Sequence, residues 1–293
     1  MRRLPLQSIA AVSVLVATIV LFVLYFQRHP DVLARLATLP LSSLALLFGL
    51  YAVFMVALIF IQRATITACE LRLPAKENVL LTLYSSIINF FGPLQSGPGF
   101  RALYLKKRHN INLKAFTLAT FCYYGFYAAF SGTLLLAAFI GPWALLLCVS
   151  LLVLPYALSR LQRFRALPLH VLIWLAAATL AQVIIISIIY LVELRSLGGA
   201  VSYSQVLVYT GAANFALFVS LTPGAIGFRE AFLIFSQRLH GISNDLIITA
   251  SLLDRSIYVS MLVVLAAVIF GLHANTVFNL DAVDKSRDIA RKT

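Results

Sequence analysis

Charge is scarce in this sequence: Asp, Glu, Lys and Arg make up 11% of its 293 residues, and only 10 of them are acidic. Soluble globular domains carry about 25% charged residues, so an aqueous domain of this size is excluded. Cysteine is scarcer still, with Cys69, Cys122 and Cys148 far apart and two of them inside apolar runs. Neither a disulfide framework nor a thiolate metal site fits that scatter, and the three read as small buried apolar residues. The histidines, His29, His109, His170, His240 and His273, stand mostly at the ends of apolar runs and do not cluster with carboxylates at ligand spacing, so no metal or cofactor is expected. No nucleophile-base constellation or phosphate loop is present either, and the chain is not expected to be an enzyme.

What is there is apolar surface. The chain is 61% hydrophobic, with a mean hydropathy of +0.95, the profile of a polytopic membrane protein. Long apolar runs cover about 6–26, 43–61, 115–140, 143–158, 169–192 and 246–272. Each is close to the roughly 20 residues that cross about 30 Å of hydrocarbon as a helix. Two shorter runs, 78–91 and 204–221, end at glycine and proline rather than at charge. The N-terminal run is too long for a signal-peptide core and lacks a small-x-small cleavage site, so it reads as a retained first span. Little chain remains outside the runs, which predicts one polytopic membrane domain over 1–275 and a short tail at 276–293.

The net charge of +13 sits in short loops beside the runs, where it orients the protein and meets anionic headgroups rather than nucleic acid. If both short runs cross, giving eight spans, about 12 basic residues fall outside and about 10 inside, against the positive-inside bias. If both dip in and return, six spans remain, with about 17 basic residues inside and 5 outside. The second topology is expected: six full helices and two re-entrant helical hairpins, with both termini cytoplasmic in a bacterial inner membrane. Three full spans separate the hairpins, so they enter from opposite faces.

The hairpin regions also match each other. "NFFGPLQSGPGFRALYL" begins at Asn89 and "NFALFVSLTPGAIGFREAFL" at Asn214. Both start with Asn-Phe, break at proline and glycine, and reach Gly-Phe-Arg at Gly99-Phe100-Arg101 and Gly227-Phe228-Arg229. A long apolar span follows each, closing at Gly141 or Gly271, so the repeat halves run from about 78–141 and 204–272. Pro93, Gly97, Gly99, Pro223, Gly224 and Gly227 are the expected helix breaks. Inverted repeats with broken helices place a site near the midplane in many transporters, and non-helical backbone at that depth requires protein or a watered cavity around it.

Charge also falls at depth. Asp254-Arg255 lies about 12–14 Å into the last span at 1.5 Å per residue, where each charge needs a partner or water. Arg229 and Glu230 are the natural partners, crosswise: Arg229 with Asp254 and Glu230 with Arg255. The quartet is compatible with a static clamp or with the lining of a substrate or proton path. Arg101 has no acidic neighbour, and an arginine beside a broken helix suits a phosphate or other anionic headgroup; a loop arginine reaching to the interface is the plainer alternative. Tyr123, Tyr124 and Tyr127 fit either an acyl-chain groove or aromatic packing between helices. Lys106 to His109, "KKRH", reads as a positive-inside anchor.

"TPGAIGFREAFL", then "DRSIYV" about two dozen residues on, with "GPGFRALYLKKR" upstream, resembles the lysylphosphatidylglycerol synthase transmembrane-region family from about residue 10 to 275. The resemblance implies a flippase-like membrane domain that moves a lipid or lipid-linked headgroup between leaflets, without the soluble synthase domain of the best-known members. It places Pro223, Gly224, Gly227, Arg229 and Glu230 on the family's second break, and Asp254 and Arg255 on its acidic-Arg pair. The corresponding pair in the first half is replaced around Phe121 to Tyr124. Together these give an expected transporter of an anionic lipid or polyprenyl-phosphate-linked carrier, with Arg101, Arg229, Glu230, Asp254 and Arg255 as substrate-binding residues. A membrane-embedded lipid-modifying enzyme and a non-transporting scaffold are the rival readings. Self-association and docking of envelope-synthesis enzymes are both compatible partners.

Overall fold

The computed structural model describes residues 38–91, 96–164, 167–219 and 228–271, together with residues 24, 27 and 30. The expected first span at 6–26 apart from residue 24, the tail at 276–293, and Pro93, Pro223, Gly224 and Gly227 lie outside the described residues.

Helix is the only regular structure among the described residues. Hydrocarbon offers the backbone no water, so a crossing segment must bond its own N–H and C=O groups, as a helix does. In chain order the elements are α1 (Leu41–Thr67), α2 (Ala75–Phe91), α3 (Gly97–His109), α4 (Leu113–Leu135), α5 (Ala144–Ser150), α6 (Leu154–Arg160), α7 (Leu169–Ser196), α8 (Tyr203–Val219), α9 (Phe228–Phe235) and α10 (Asn244–Gly271). Single-turn helices stand at Ala137–Ile140 and Gln237–His240. Four stretches are long and apolar enough to cross a membrane: Leu41–Thr67, Leu113–Arg160, Leu169–Ser196 and Asn244–Ala267.

The second of these stretches is two limbs. Asn112 caps α4 by accepting from the N–H groups of Lys114 and Ala115, and the chain turns back at Gly141, whose φ of +61° suits glycine, and Pro142. α5 returns along α4, and the Cys148 thiol donates to the Phe130 carbonyl at 3.6 Å. The run expected to cross at 143–158 is helical but interrupted, with a 3-10 turn at Leu151–Val153 ahead of Pro155. Pro155 has no N–H to continue a helix and is tolerated only in the first turn of the next one.

α1 and α7 lie along each other and form the largest contact, with α4 against α7 and α8. The two hairpins fold against this frame. In the first, α3 returns along α2: the Gly97 N–H donates to Asn89 Oδ1 at 3.3 Å near the tip, and Tyr104 OH donates to Glu77 Oε1 at 2.6 Å near the base. His109 Nε2 sits 2.7 Å from the same oxygen and Arg108 Nε 3.6 Å from it, so half of the "KKRH" anchor is tied to Glu77. Gly97 and Gly99, expected at the break, stand in the first turn of α3. Gly97 is required by proximity, because a Cβ there would stand 2.6 Å from the Ser85 carbonyl oxygen.

In the second hairpin α9 returns along α8, and the ring of His240 meets Tyr209 edge-on at 5.7 Å. Each hairpin packs on the span that follows the other: α8 on α4, with Asn214 Nδ2 donating to Ser131 Oγ at 3.0 Å, and α2 on α10.

Candidate functional site

A cavity of about 260 Å³ lies between the two hairpins, walled by α1, α2, α3, α4, α7, α8, α9 and α10. It is just below the range of about 300–1,000 Å³ that holds drug-sized ligands, and so has room for a headgroup rather than a whole lipid. The two hairpins contribute in parallel. Asn89 and Asn214, the first residues of the matched segments, both line it, and so do Arg101 and Arg229 from the two Gly-Phe-Arg tripeptides.

Arg229 enters at the start of α9 and Asp254 from the middle of α10. Arg229 Nη1 donates to Asp254 Oδ2, and Tyr51 OH on α1 donates to Asp254 Oδ1. The Arg229 guanidinium also lies over the Tyr190 ring, 5.0 Å from its centre, a contact that a desolvated cation strengthens. Glu230 faces the other way along α10: Arg255 donates to its Oε1 at 2.8 and 3.2 Å, and Ser251 OH at 2.7 Å. The crosswise pairing expected from depth is the arrangement seen. It leaves Arg229 6% exposed and Arg255 3% exposed, which only paired charges tolerate.

Arg101 differs. Its Nη1 donates to Gln62 Oε1 on α1 at 2.6 Å, no ion pair holds it among the described residues, and its buried Nε has no hydrogen-bond partner. Two further buried donors of Arg229, Nε and Nη2, are likewise without one. The lining therefore carries three guanidiniums, Arg101, Arg229 and Arg255, against the carboxylates of Asp254 and, beside Arg255, Glu230. A cation in excess and donors without acceptors favour an anion that brings its own oxygens.

Tyr123, Tyr124 and Tyr127 satisfy both halves of their sequence reading: they line the cavity and they pack, with the Tyr123 and Tyr124 rings 4.9 Å apart. Tyr123 OH is fixed by Gln182 Oε1 at 3.2 Å.

Four residues were not singled out from the sequence. Tyr51 and Gln62 hold Asp254 and Arg101, Gln182 holds Tyr123, and Glu193 is buried to 1% exposure on α7. Glu193 sits one residue beyond the apolar run at 169–192. The signal for it was present: Gln182, Ile186, Ile189, Tyr190 and Glu193 recur at helical spacing, and α7 runs on to Ser196.

These features have a counterpart among known proteins. The family described as lysylphosphatidylglycerol synthase TM region matches residues 8–266. The chain belongs to that family. Membership makes it a membrane protein in contact with the bilayer, and the family's match spans both hairpins and all the charged residues of the cavity. No curated protein and no solved structure matches the chain.

Proposed function

We propose that this chain is a flippase-like transporter, not an enzyme, that moves an anionic lipid or a polyprenyl-phosphate-linked headgroup between leaflets. One observation carries the reading: Arg101 and Arg229, one from each hairpin, line the same buried cavity, and both keep buried donors without partners. A headgroup phosphate between them satisfies those donors with charge-assisted hydrogen bonds, while its apolar chains stay in lipid.

The topology proposed with it has six full spans and two re-entrant hairpins entering from opposite faces of a bacterial inner membrane, both termini cytoplasmic, in two inverted halves at about 78–141 and 204–272. Support comes from the exchange of partners, each hairpin packing on the span that follows the other, and from the placement of a Gly-Phe-Arg arginine near the start of α3 and of α9. Such halves rock about a central site in inverted-repeat transporters. Arg101 and Arg229 then receive the headgroup in turn.

Purified protein in vesicles should speed leaflet exchange of a fluorescent phosphatidylglycerol. Arg229→Ala should slow that exchange roughly tenfold or more, the loss of a charged hydrogen bond worth about 1.5–3 kcal/mol. Equal exchange in protein-containing and empty vesicles, across several anionic lipids, sinks the proposal.

A further inference from the structure

The cavity takes its open donors and its open acceptors from different residues. The donors are guanidinium N–H groups, Nε of Arg101 and Nε and Nη2 of Arg229. The acceptors come from α2 and α8. On α2, Thr82, Ser85, Ser86 and Asn89 all line the cavity, at the i, i+3, i+4 and i+7 positions of one helix face. The first three are buried hydroxyls that donate their own proton to the helix backbone: Thr82 to the Asn78 carbonyl at 2.8 Å, Ser85 and Ser86 to the Thr82 carbonyl at 2.9 and 3.0 Å. A hydroxyl whose proton is committed keeps its lone pairs, so toward a ligand each of these oxygens accepts. On α8, Asn214 lines the cavity at 0% exposure; its Nδ2 donates to Ser131, and its Oδ1 has no hydrogen-bond partner.

A phosphate alone does not serve this second group. An ionised phosphodiester brings acceptors only, so it satisfies the arginines and offers nothing to the α2 hydroxyls or to Asn214 Oδ1, whose buried oxygen is costly to leave unmatched. What these oxygens lack is an O–H or N–H from the ligand. An ammonium is the wrong donor, because three guanidiniums against two carboxylates leave the lining positive and repel a further cation. A neutral hydroxyl supplies the proton without the charge. It also accepts, so hydroxyls close to the phosphate serve the guanidiniums as well.

We propose that the cavity selects a phosphodiester whose headgroup is a neutral polyol, a glycerol or a sugar, with the phosphate on Arg101 and Arg229 and the hydroxyls donating to Asn214 and to the Thr82, Ser85 and Ser86 face of α2. The inference rests on reading the cavity as an anion site, and it adds what sets the specificity of that site. The phosphate gives affinity for any anionic lipid, and the hydroxyls decide among them. Phosphatidylserine, equal in net charge to phosphatidylglycerol but carrying an ammonium, is then a poor ligand.

The test is calorimetric. Four short-chain lipids are titrated into the full chain in neutral detergent: phosphatidylglycerol; phosphatidylinositol, whose ring stands in for a sugar; phosphatidylserine; and phosphatidylpropanol, the same phosphodiester with a propyl group and no hydroxyl. The better of the two polyol lipids should bind at least about tenfold tighter than phosphatidylpropanol or phosphatidylserine, as two net hydrogen bonds allow, and which of the two leads separates a glycerol from a ring polyol. Ser85→Ala with Ser86→Ala removes two acceptors and keeps a helix-forming residue at each position, and it should cut the preference at least about threefold. Asn214→Leu, close in size, should do the same. Equal affinity for all four lipids, or phosphatidylserine the tightest, overturns the polyol site and leaves the anion site standing. A preference that both variants keep in full overturns the assignment to α2 and Asn214. Absence of saturable binding by all four removes the anion site and the polyol site with it. Should Asn214→Leu fail to fold, the serine pair and the wild-type ratio still decide, and a ratio near one is fatal.

Discussion

Gly97→Ala and Gly99→Ala lie two residues apart in α3 and should differ clearly in stability. A Cβ on Gly97 would stand 2.6 Å from the Ser85 carbonyl oxygen and 2.9 Å from Asn89 Cβ. Backbone carbonyl cannot swing aside, and non-bonded contacts relax only near 3.5–4.0 Å, so α2 and α3 must part by about 1 Å. Overpacking of this kind costs about 1–3 kcal/mol. Gly99 has nothing within 4 Å of its added Cβ, so alanine there meets open space. The preference of alanine over glycine in a helix, up to about 1 kcal/mol, enters both variants alike and cancels between them. The difference is therefore the overpacking cost itself, about 1–3 kcal/mol in favour of Gly99→Ala. Arg101 is one turn beyond Gly97, on the same face, so parted arms also draw it from Gln62 and slow leaflet exchange. Detergent-solubilised variants melted side by side, followed by helical circular dichroism, read the first effect. Gly97→Ala melting at or above Gly99→Ala would refute the close approach that holds the first hairpin in place.

Arg229→Gln and Asp254→Asn each leave a buried group without its partner and should each cost about 3–5 kcal/mol in unfolding, while the double variant costs well under the sum; strictly additive losses would contradict a buried ion pair. His240 donates from Nε2 to the Leu233 carbonyl at 3.0 Å and accepts the Ile242 N–H on Nδ1 at 3.1 Å, and the second bond needs the neutral ring. Burial moves its proton affinity below the usual histidine value of 6.5. The stability this gives is full above about pH 6.5, the unfolded value, and is lost as pH falls toward the depressed folded one. Melting temperature should therefore fall with acidification in the wild type and fall less in His240→Gln, and an equal fall in both removes His240 as the cause. Burial pushes the Cys69 thiol up to about 11, so its alkylation, followed by peptide mass spectrometry, should keep rising from pH 8 to 10; a plateau by pH 9 contradicts that.

The sequence carried the helical class, the reversal at Gly141, the two hairpins and the crosswise pairing of Arg229, Glu230, Asp254 and Arg255, for a common physical reason. Apolar run length reports crossing helices, and charges inside such runs have few partners to choose from. Depth along α10 was enough to match Asp254 and Arg255 to the start of α9. What escaped was neutral or ambiguous locally. Tyr51 and Gln62 are ordinary inside an apolar helix, and only the packing of α1 on α7 and α10 turns them toward Asp254 and Arg101. Glu193 was passed over because the apolar run ends one residue before it, whereas the helix runs on to Ser196. Composition marks Gly97 and Gly99 as the place of a break, but not the helix contact that Gly97 also serves, which depends on how near α2 comes.

The central claim is that one cavity offers two arginines, one from each hairpin, to a single anionic headgroup. Structure determination of the protein in lipid nanodiscs containing phosphatidylglycerol tests it most directly. The account predicts headgroup density between Arg101 and Arg229, with the Arg229–Asp254 contact lengthened wherever the phosphate is bound. A well-resolved cavity without a headgroup, its Arg229–Asp254 pair intact and phosphatidylglycerol seated only on the outer surface, would contradict it and leave the charge quartet as a static clamp.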